Sequence, residues 1–198
     1  MIRARSGRAA TSRGMSRASL FVPLAVFAGL IVLLWTGFSL DDPHRLPSAL
    51  LGKPFPSFAL PQLDAPADTV TERVLQGRLT LVNVWASWCP TCQEEHAELT
   101  RIHDETGIPL IGVVYKDDPD SAKAWLARLG NPYERQILDH DGTLGIDLGV
   151  YGAPETFLVD ARGVIVHKRV GDVNRQVWEK EFVPLIAKLS RTASVEGG

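Results

Sequence analysis

Cysteine is nearly absent from this chain: Cys89 and Cys92 are the only two in 198 residues. That scarcity excludes a disulfide-built scaffold, because so short a loop constrains an unfolded chain little. A structural zinc site needs about four ligands, and there is no second Cys-x-x-Cys or nearby His pair to complete one. The five histidines follow no ligand spacing; His96 and His103 stand seven apart and read as structural or surface residues. A copper-carrier site of two thiols and a distant His stays open, although such sites usually space their cysteines further apart. Acid is missing from the first 17 residues, which carry Arg3, Arg5, Arg8, Arg13 and Arg17, and charge of either sign is missing from Leu20 to Leu40. All 23 acids but only 16 of the 21 Lys and Arg lie beyond residue 40, for a formal charge there of −7. That sign disfavours nucleic acid as a partner. There is no internal repeat and no low-complexity tract.

The uncharged run is long. At about 1.5 Å per residue it spans roughly 31 Å as a helix, the hydrocarbon thickness of a bilayer. A cleaved signal peptide has a shorter apolar core and a small-residue cleavage site, and neither is present. The expectation is a signal anchor over 20–40, with residues 1–19 as a basic cytoplasmic N-terminus held inside by their arginines. Residues 41–51 then form a Pro-rich tether, 52–189 a single domain on the far side of the membrane, and 190–198 a frayed tail.

Within that domain the two cysteines sit between a strand-like run, Leu79 to Trp85, and a helix-like run from Pro90 to about Glu105. Three residues apart, their sulfurs close a small ring, so a reversible disulfide is geometrically natural. Pro90 suits the first helical position, where its missing N–H costs nothing. Cys89 then faces the free N–H groups and the positive end of the helix, which favour its thiolate. Cys92, one turn in, is expected to be more buried and less acidic. One thiol attacks and the other resolves.

Around this centre, Phe55 to Leu60 reads as a short edge strand, with Pro56 confined to an edge, and Glu72 to Gln76 as a turn of helix. Ile108 to Tyr115 is a buried strand, Asp118 to Leu129 an amphipathic helix, Gln136 to Asp139 a short strand and Asp141 to Leu148 a short helix. Thr156–Asp160 and Val164–Val170 make a hairpin with Gly163 in the turn. Asn174 to Leu189 closes the domain as a helix that Pro184 should bend. Strand–helix units followed by a hairpin and a helix predict an α/β sandwich.

This order, with the Cys-x-x-Cys at the first strand–helix junction, resembles thioredoxin. Trp88-Cys-Pro-Thr-Cys92 together with Gly149-Val-Tyr-Gly-Ala-Pro-Glu-Thr-Phe157 resembles the membrane-anchored DsbE/CcmG branch, the thiol:disulfide interchange proteins of cytochrome c maturation. Asn131-Pro-Tyr133 and Asp147-Leu-Gly149 are similar to that family too, over roughly Gly52 to Leu189. The resemblance implies a thioredoxin-like fold, a central mixed β-sheet flanked by helices, behind one N-terminal transmembrane helix. It implies a bacterial inner-membrane protein with a periplasmic domain, no cofactor and no metal. The implied function is reduction of apocytochrome c, or of a maturation thiol protein, before haem attachment, with an inner-membrane thiol carrier restoring the reduced pair. A broader periplasmic disulfide reductase and a non-enzymatic metallochaperone or apocytochrome-holding module are the alternatives.

The same resemblance weights particular residues. Asn83 stands where thioredoxin has a proton-handling aspartate, and an amide cannot titrate. Its own chemistry suggests a buried amide bonded to backbone. Glu95 shares a helix side with Cys92, and a carboxylate there can take the proton of a resolving thiol. Pro154, after Ala153, occupies the place of the fold's cis-proline. Trp88, Pro90, Thr91, Ala153, Pro154 and Glu155 are the expected substrate groove, although Glu155 also reads as an exposed strand-start acid. Trp85 reads as core.

Overall fold

A computed structural model describes residues 17–40 and 49–196. Residues 1–16 of the expected basic segment (1–19), most of the tether (41–48) and the last two residues of the tail lie outside them. The chain divides into two compact units, 1–43 and 44–198. The first contains helix α1, Arg17–Leu40, which covers the uncharged run. Its side chains are described only over 21–35, and among the described residues no helix is long and apolar enough to cross a membrane.

The second unit is built on a five-stranded sheet. A small antiparallel ribbon comes first, β1 (Ala59–Pro61) against β2 (Thr69–Thr71). The edge strand expected over 55–60 is thus shifted toward Pro61, and its partner β2 carries too few residues to show a period. One 3₁₀ turn, Glu72–Leu75, follows. Then come β3 (Thr80–Trp85), α2 (Pro90–Thr106), β4 (Leu110–Tyr115), α3 (Pro119–Leu129), β5 (Arg135–Asp139), α4 (Thr143–Asp147), β6 (Glu155–Val159) and β7 (Ile165–Val170). The strand order is β5-β4-β3-β6-β7. The β3–β4 and β4–β5 pairs are parallel, while β3–β6 and β6–β7 are antiparallel, so the sheet is mixed. β3 is central and buried at every residue, which is why it reads as an unbroken apolar run rather than an alternation.

Period-2 geometry splits the core into two layers. One face carries Leu81, Trp85, Val114 and Leu158 and packs on Leu99, Ile102, Trp125, Trp178 and Phe182. The other carries Val82, Val84, Ile111, Val113, Phe157 and Val159 under Phe55, Leu144 and Leu148. On the first face, α2 and α3 are capped as their sequences suggest. Gly107 ends α2 in the left-handed region, φ 65°, and Asp118 caps α3 by accepting from Ser121 N. The closing helix is interrupted: α5 (Arg175–Val177) passes through a π turn, Trp178–Phe182, into α6 (Val183–Glu196). Pro184 has no N–H, and its ring crowds the carbonyl four residues back, Lys180, so the widened turn lies where the sequence predicts a bend. The helix continues to Glu196, beyond the Leu189 at which the sequence reading ends it.

Candidate functional site

β3 delivers the chain to the site. After Trp85 the backbone turns, with Cys89 N donating to Ala86 O at 3.2 Å, and α2 begins at Pro90. Cys89 is the N-cap of that helix, with extended φ and ψ, and Cys92 N donates to its sulfur at 3.0 Å. The sulfurs are joined as a disulfide, Cα atoms 5.3 Å apart. Exposure does not separate the two thiols as expected: Cys89 is 3 % exposed and Cys92 2 %. The asymmetry rests on helix position alone, since the N-cap sulfur is the one that meets the free N–H groups.

The turn carrying the motif is clamped from β4. Asp117 accepts from the Ser87 backbone N–H and, at 2.9 Å, from Ser87 Oγ, while Trp88 Nε1 donates to Lys116 O at 3.1 Å. Trp88 itself is 54 % exposed, an apolar surface next to Cys89 in the chain. Sequence reasoning missed Asp117 because it is hidden beside the more obvious capping acid Asp118.

Glu95 lies one turn beyond Cys92 and is buried. Asn83 Nδ2 donates to its Oε1 at 2.9 Å and Val173 N to its Oε2 at 2.8 Å. Burial pushes its pKa from 4.5 up to about 7, with the nearby charge of Asp172 adding to the rise and the two hydrogen bonds opposing it. A carboxyl raised toward neutrality one helical turn from Cys92 is suited to exchange protons with a thiol at that position.

Asn83 corrects the sequence reading. Its amide is not bonded to backbone but to three side chains: Glu95, Thr156 Oγ1 at 3.0 Å, and Tyr133, whose hydroxyl donates to Asn83 Oδ1 at 2.8 Å. The register explains this, since Asn83 pairs with Gly112 on one side and Thr156 on the other. Gly112 is obligatory there: a Cβ would lie 2.8 Å from Trp85 Nε1 and 3.1 Å from the Tyr133 ring. Its absence lets Tyr133 stack on Trp85, ring centroids 5.7 Å apart, and reach the amide. Burial and the Glu95 charge raise the Tyr133 pKa well above its ordinary value, so it remains a donor. Tyr133 belongs to a run that resembles the family, but nothing in the sequence assigns it a partner.

The Ala153–Pro154 peptide is cis, as the resemblance implies. Pro154 is buried, Ala153 and Thr91 are half-buried, and Pro90 is exposed on the first turn of α2. Glu155 departs from both readings offered for it. It is fully buried on the sheet face opposite Asn83, paired with Lys168 Nζ at 2.9 Å, and it accepts from Tyr151 N at 2.7 Å. Strand alternation explains this: Glu155 shares a face with Phe157 and Val159, which belong to the other core layer. Lys168 also donates to Gly149 O at 2.7 Å. One ion pair therefore holds the Gly149–Pro154 loop, where Tyr151 is exposed with its ring 5.2 Å from Lys168 Nζ and Ala153 is half-buried. His96 is structural: its Nε2 lies 3.0 Å from Gly130 O, it meets Trp125 edge-on, and burial lowers its pKa.

Residues 50–183 match the redoxin family. The chain is 52 % identical over 175 residues to the thiol:disulfide interchange protein DsbE of Pseudomonas aeruginosa, covering 88 % of this chain and 96 % of that protein. It is 48 % identical over 185 residues to the DsbE of Escherichia coli K12, covering 91 % and 100 %. Among solved structures it resembles a secreted thiol-disulfide isomerase from Corynebacterium glutamicum, TM-score 0.61 at 19 % identity, over 75 % of this chain and 96 % of that one; this likeness concerns the fold.

Proposed function

The chain belongs to the redoxin family and, within it, to the DsbE thiol:disulfide interchange proteins, and from that premise we propose that it works as a membrane-anchored periplasmic reductant for apocytochrome c or a partner thiol protein of its maturation. It is a disulfide oxidoreductase. The observation that supports this mechanism is the Cys89–Cys92 pair at the start of α2 with Glu95 buried one turn beyond.

In the reduced protein the Cys89 thiolate attacks one sulfur of the partner disulfide. A bond forms between Cys89 and that sulfur, and the partner's other sulfur leaves with the electron pair. Cys92 gives its proton to Glu95 and attacks Cys89 Sγ. The bond to the partner breaks, its second thiolate leaves, and the Cys89–Cys92 disulfide closes. Two electrons have passed to the partner, and an inner-membrane thiol carrier returns the pair to its reduced form. The exposed Trp88 offers apolar contact to the incoming polypeptide, and the Gly149–Phe157 motif supports a cytochrome-maturation client. Residues 20–40 are the anchor in this reading, with the N-terminus cytoplasmic.

Trapping tests the client. Cys92→Ser halts the reaction at the mixed disulfide, and the polypeptide linked to Cys89 is then identified by mass spectrometry. An apocytochrome c or a maturation thiol protein is the expected catch. Capture of unrelated periplasmic proteins alone would replace this client with a broad one.

A further inference from the structure

Lys116, the residue after β4, is the only non-glycine with positive φ among the described residues, at 47°. A side chain in the left-handed region crowds its own backbone, so such a residue persists only where its surroundings fix it. The corner between β5 and α4 does so from several sides. Lys116 N donates to Asp139 O at 3.0 Å, and His140 Nδ1 bonds Asp117 O at 3.0 Å. The lysine stem lies over Gly142, where a Cβ would come within 2.2 Å of Lys116 Cε and 3.0 Å of its Cγ. The Lys116 ammonium stands 5.2 Å from the centre of the Tyr115 ring, and that ring fills space a Cβ on Gly145 would enter at 2.4 Å. The corner itself is tied down by Asp139, whose carboxylate accepts from Gly145 N at 2.8 Å and Leu144 N at 3.2 Å.

One group of this gripped residue points elsewhere. Lys116 O accepts from Trp88 Nε1 at 3.1 Å. A φ of opposite sign to that of a strand re-aims the peptide plane carrying this carbonyl, so the left-handed conformation and the bond to Trp88 go together. We propose that Lys116 is a positioning residue acting through its main chain: its left-handed turn presents the carbonyl that holds the exposed Trp88 ring in one orientation for a polypeptide disulfide substrate. Trp88 is 54 % exposed, and an exposed side chain left untied samples several rotamers. A ring already held loses less freedom when a polypeptide docks on it. The role rests on the reading of Trp88 as an apolar contact for the client.

The neighbouring contacts do not perform this task. Asp117 holds Ser87, through its N–H and its hydroxyl, and so fixes the backbone of the turn while leaving the Trp88 ring free to rotate. The Lys116 ammonium is turned toward Tyr115, so its charge is engaged on the side of the β5–α4 corner. What reaches Trp88 from Lys116 is the carbonyl.

The test separates main chain from side chain. Lys116→Asn and Lys116→Val both remove the ammonium and its stem, but asparagine enters the left-handed region readily and a β-branched residue does not. The full-length protein in detergent micelles, labelled with ¹⁵N-tryptophan, gives five indole signals, and Trp88→Phe identifies the one that belongs to Trp88. In Lys116→Val, solvent exchange of the Trp88 indole N–H should quicken about three- to tenfold, the worth of one neutral hydrogen bond. In single-turnover reduction of a disulfide-closed Cys-x-x-Cys-His peptide, the half-saturating peptide concentration should rise by about the same factor while the limiting rate holds. Lys116→Asn should return both toward the wild type. Equal losses in the two variants would assign the effect to the lysine side chain and overturn the proposal, as would an unmoved indole in Lys116→Val. Trp88→Phe keeps a ring but has no N–H to be held, and its exposed position leaves the core intact, so it serves even if Lys116→Val does not fold. It should weaken peptide binding as Lys116→Val does, with no further loss when the two are combined; unweakened binding or additive losses also overturn the proposal. The indole measurement involves no client, so its failure is separate from that of the trapping experiment.

Discussion

Replacing Glu95 with Gln should alter both the stability profile and one chemical step. In the folded protein the carboxyl keeps its proton up to about 7, and the ordinary value is 4.5. Between those values the folded state binds more protons than the unfolded chain, so stability falls as pH rises through the window and levels off above it. At about 1.4 kcal/mol per pH unit, the loss is about 3 kcal/mol for this buried group. Chemical denaturation of the oxidised protein at a series of pH values reads it directly, since the disulfide keeps both cysteines out of the titration. The wild type should lose about that much between pH 4.5 and 7, and Glu95→Gln should lack this component. In the reduced protein, the same variant should resolve mixed disulfides about 10²-fold more slowly, the usual cost of losing a general base. Attack by Cys89 should change less, because the helix start governs its thiolate. Parallel stability curves for variant and wild type would refute the burial argument, and resolution at the wild-type rate would remove Glu95 from the proton path.

Iodoacetamide should label Cys89 well before Cys92 in the reduced protein near neutral pH; equal rates would contradict an asymmetry that depends on the N-cap position. Lys168→Met leaves the Glu155 carboxylate buried without its cation, and should destabilise the domain by about 3–5 kcal/mol in urea denaturation; a loss well under about 1 kcal/mol would mean the pair does not hold its loop. Gly112→Ala pushes a methyl group into Trp85 and Tyr133, and should cost about 1–3 kcal/mol while moving the Tyr133 ring signals; unchanged signals would contradict the close approach. A protein beginning near Gly52 should fold and reduce insulin disulfides without residues 20–40, and an unfolded or inactive product would overturn the division into anchor and domain.

Features that depend on neighbours along the chain are legible in the residues alone. The cysteine spacing, Pro90 at the helix start, the αL end at Gly107 and the Asp118 cap are all settled within a few residues. The burial of β3 is readable in its unbroken apolar run, and the disturbed turn near Pro184 follows from a missing N–H. Which distant groups meet depends on how the chain packs. Tyr133 reaches Asn83 across 50 residues, and Val173 reaches Glu95 across 78. Strand alternation says that Glu155 and Thr156 face opposite ways, but not which face covers the cysteines. Only the strand order brings Thr156 beside Asn83 and Lys168 over Glu155. The shifted Glu95 pKa has the same origin. A carboxyl's proton affinity depends on the water removed around it and on the donors left facing it, and both are supplied by segments remote in the chain.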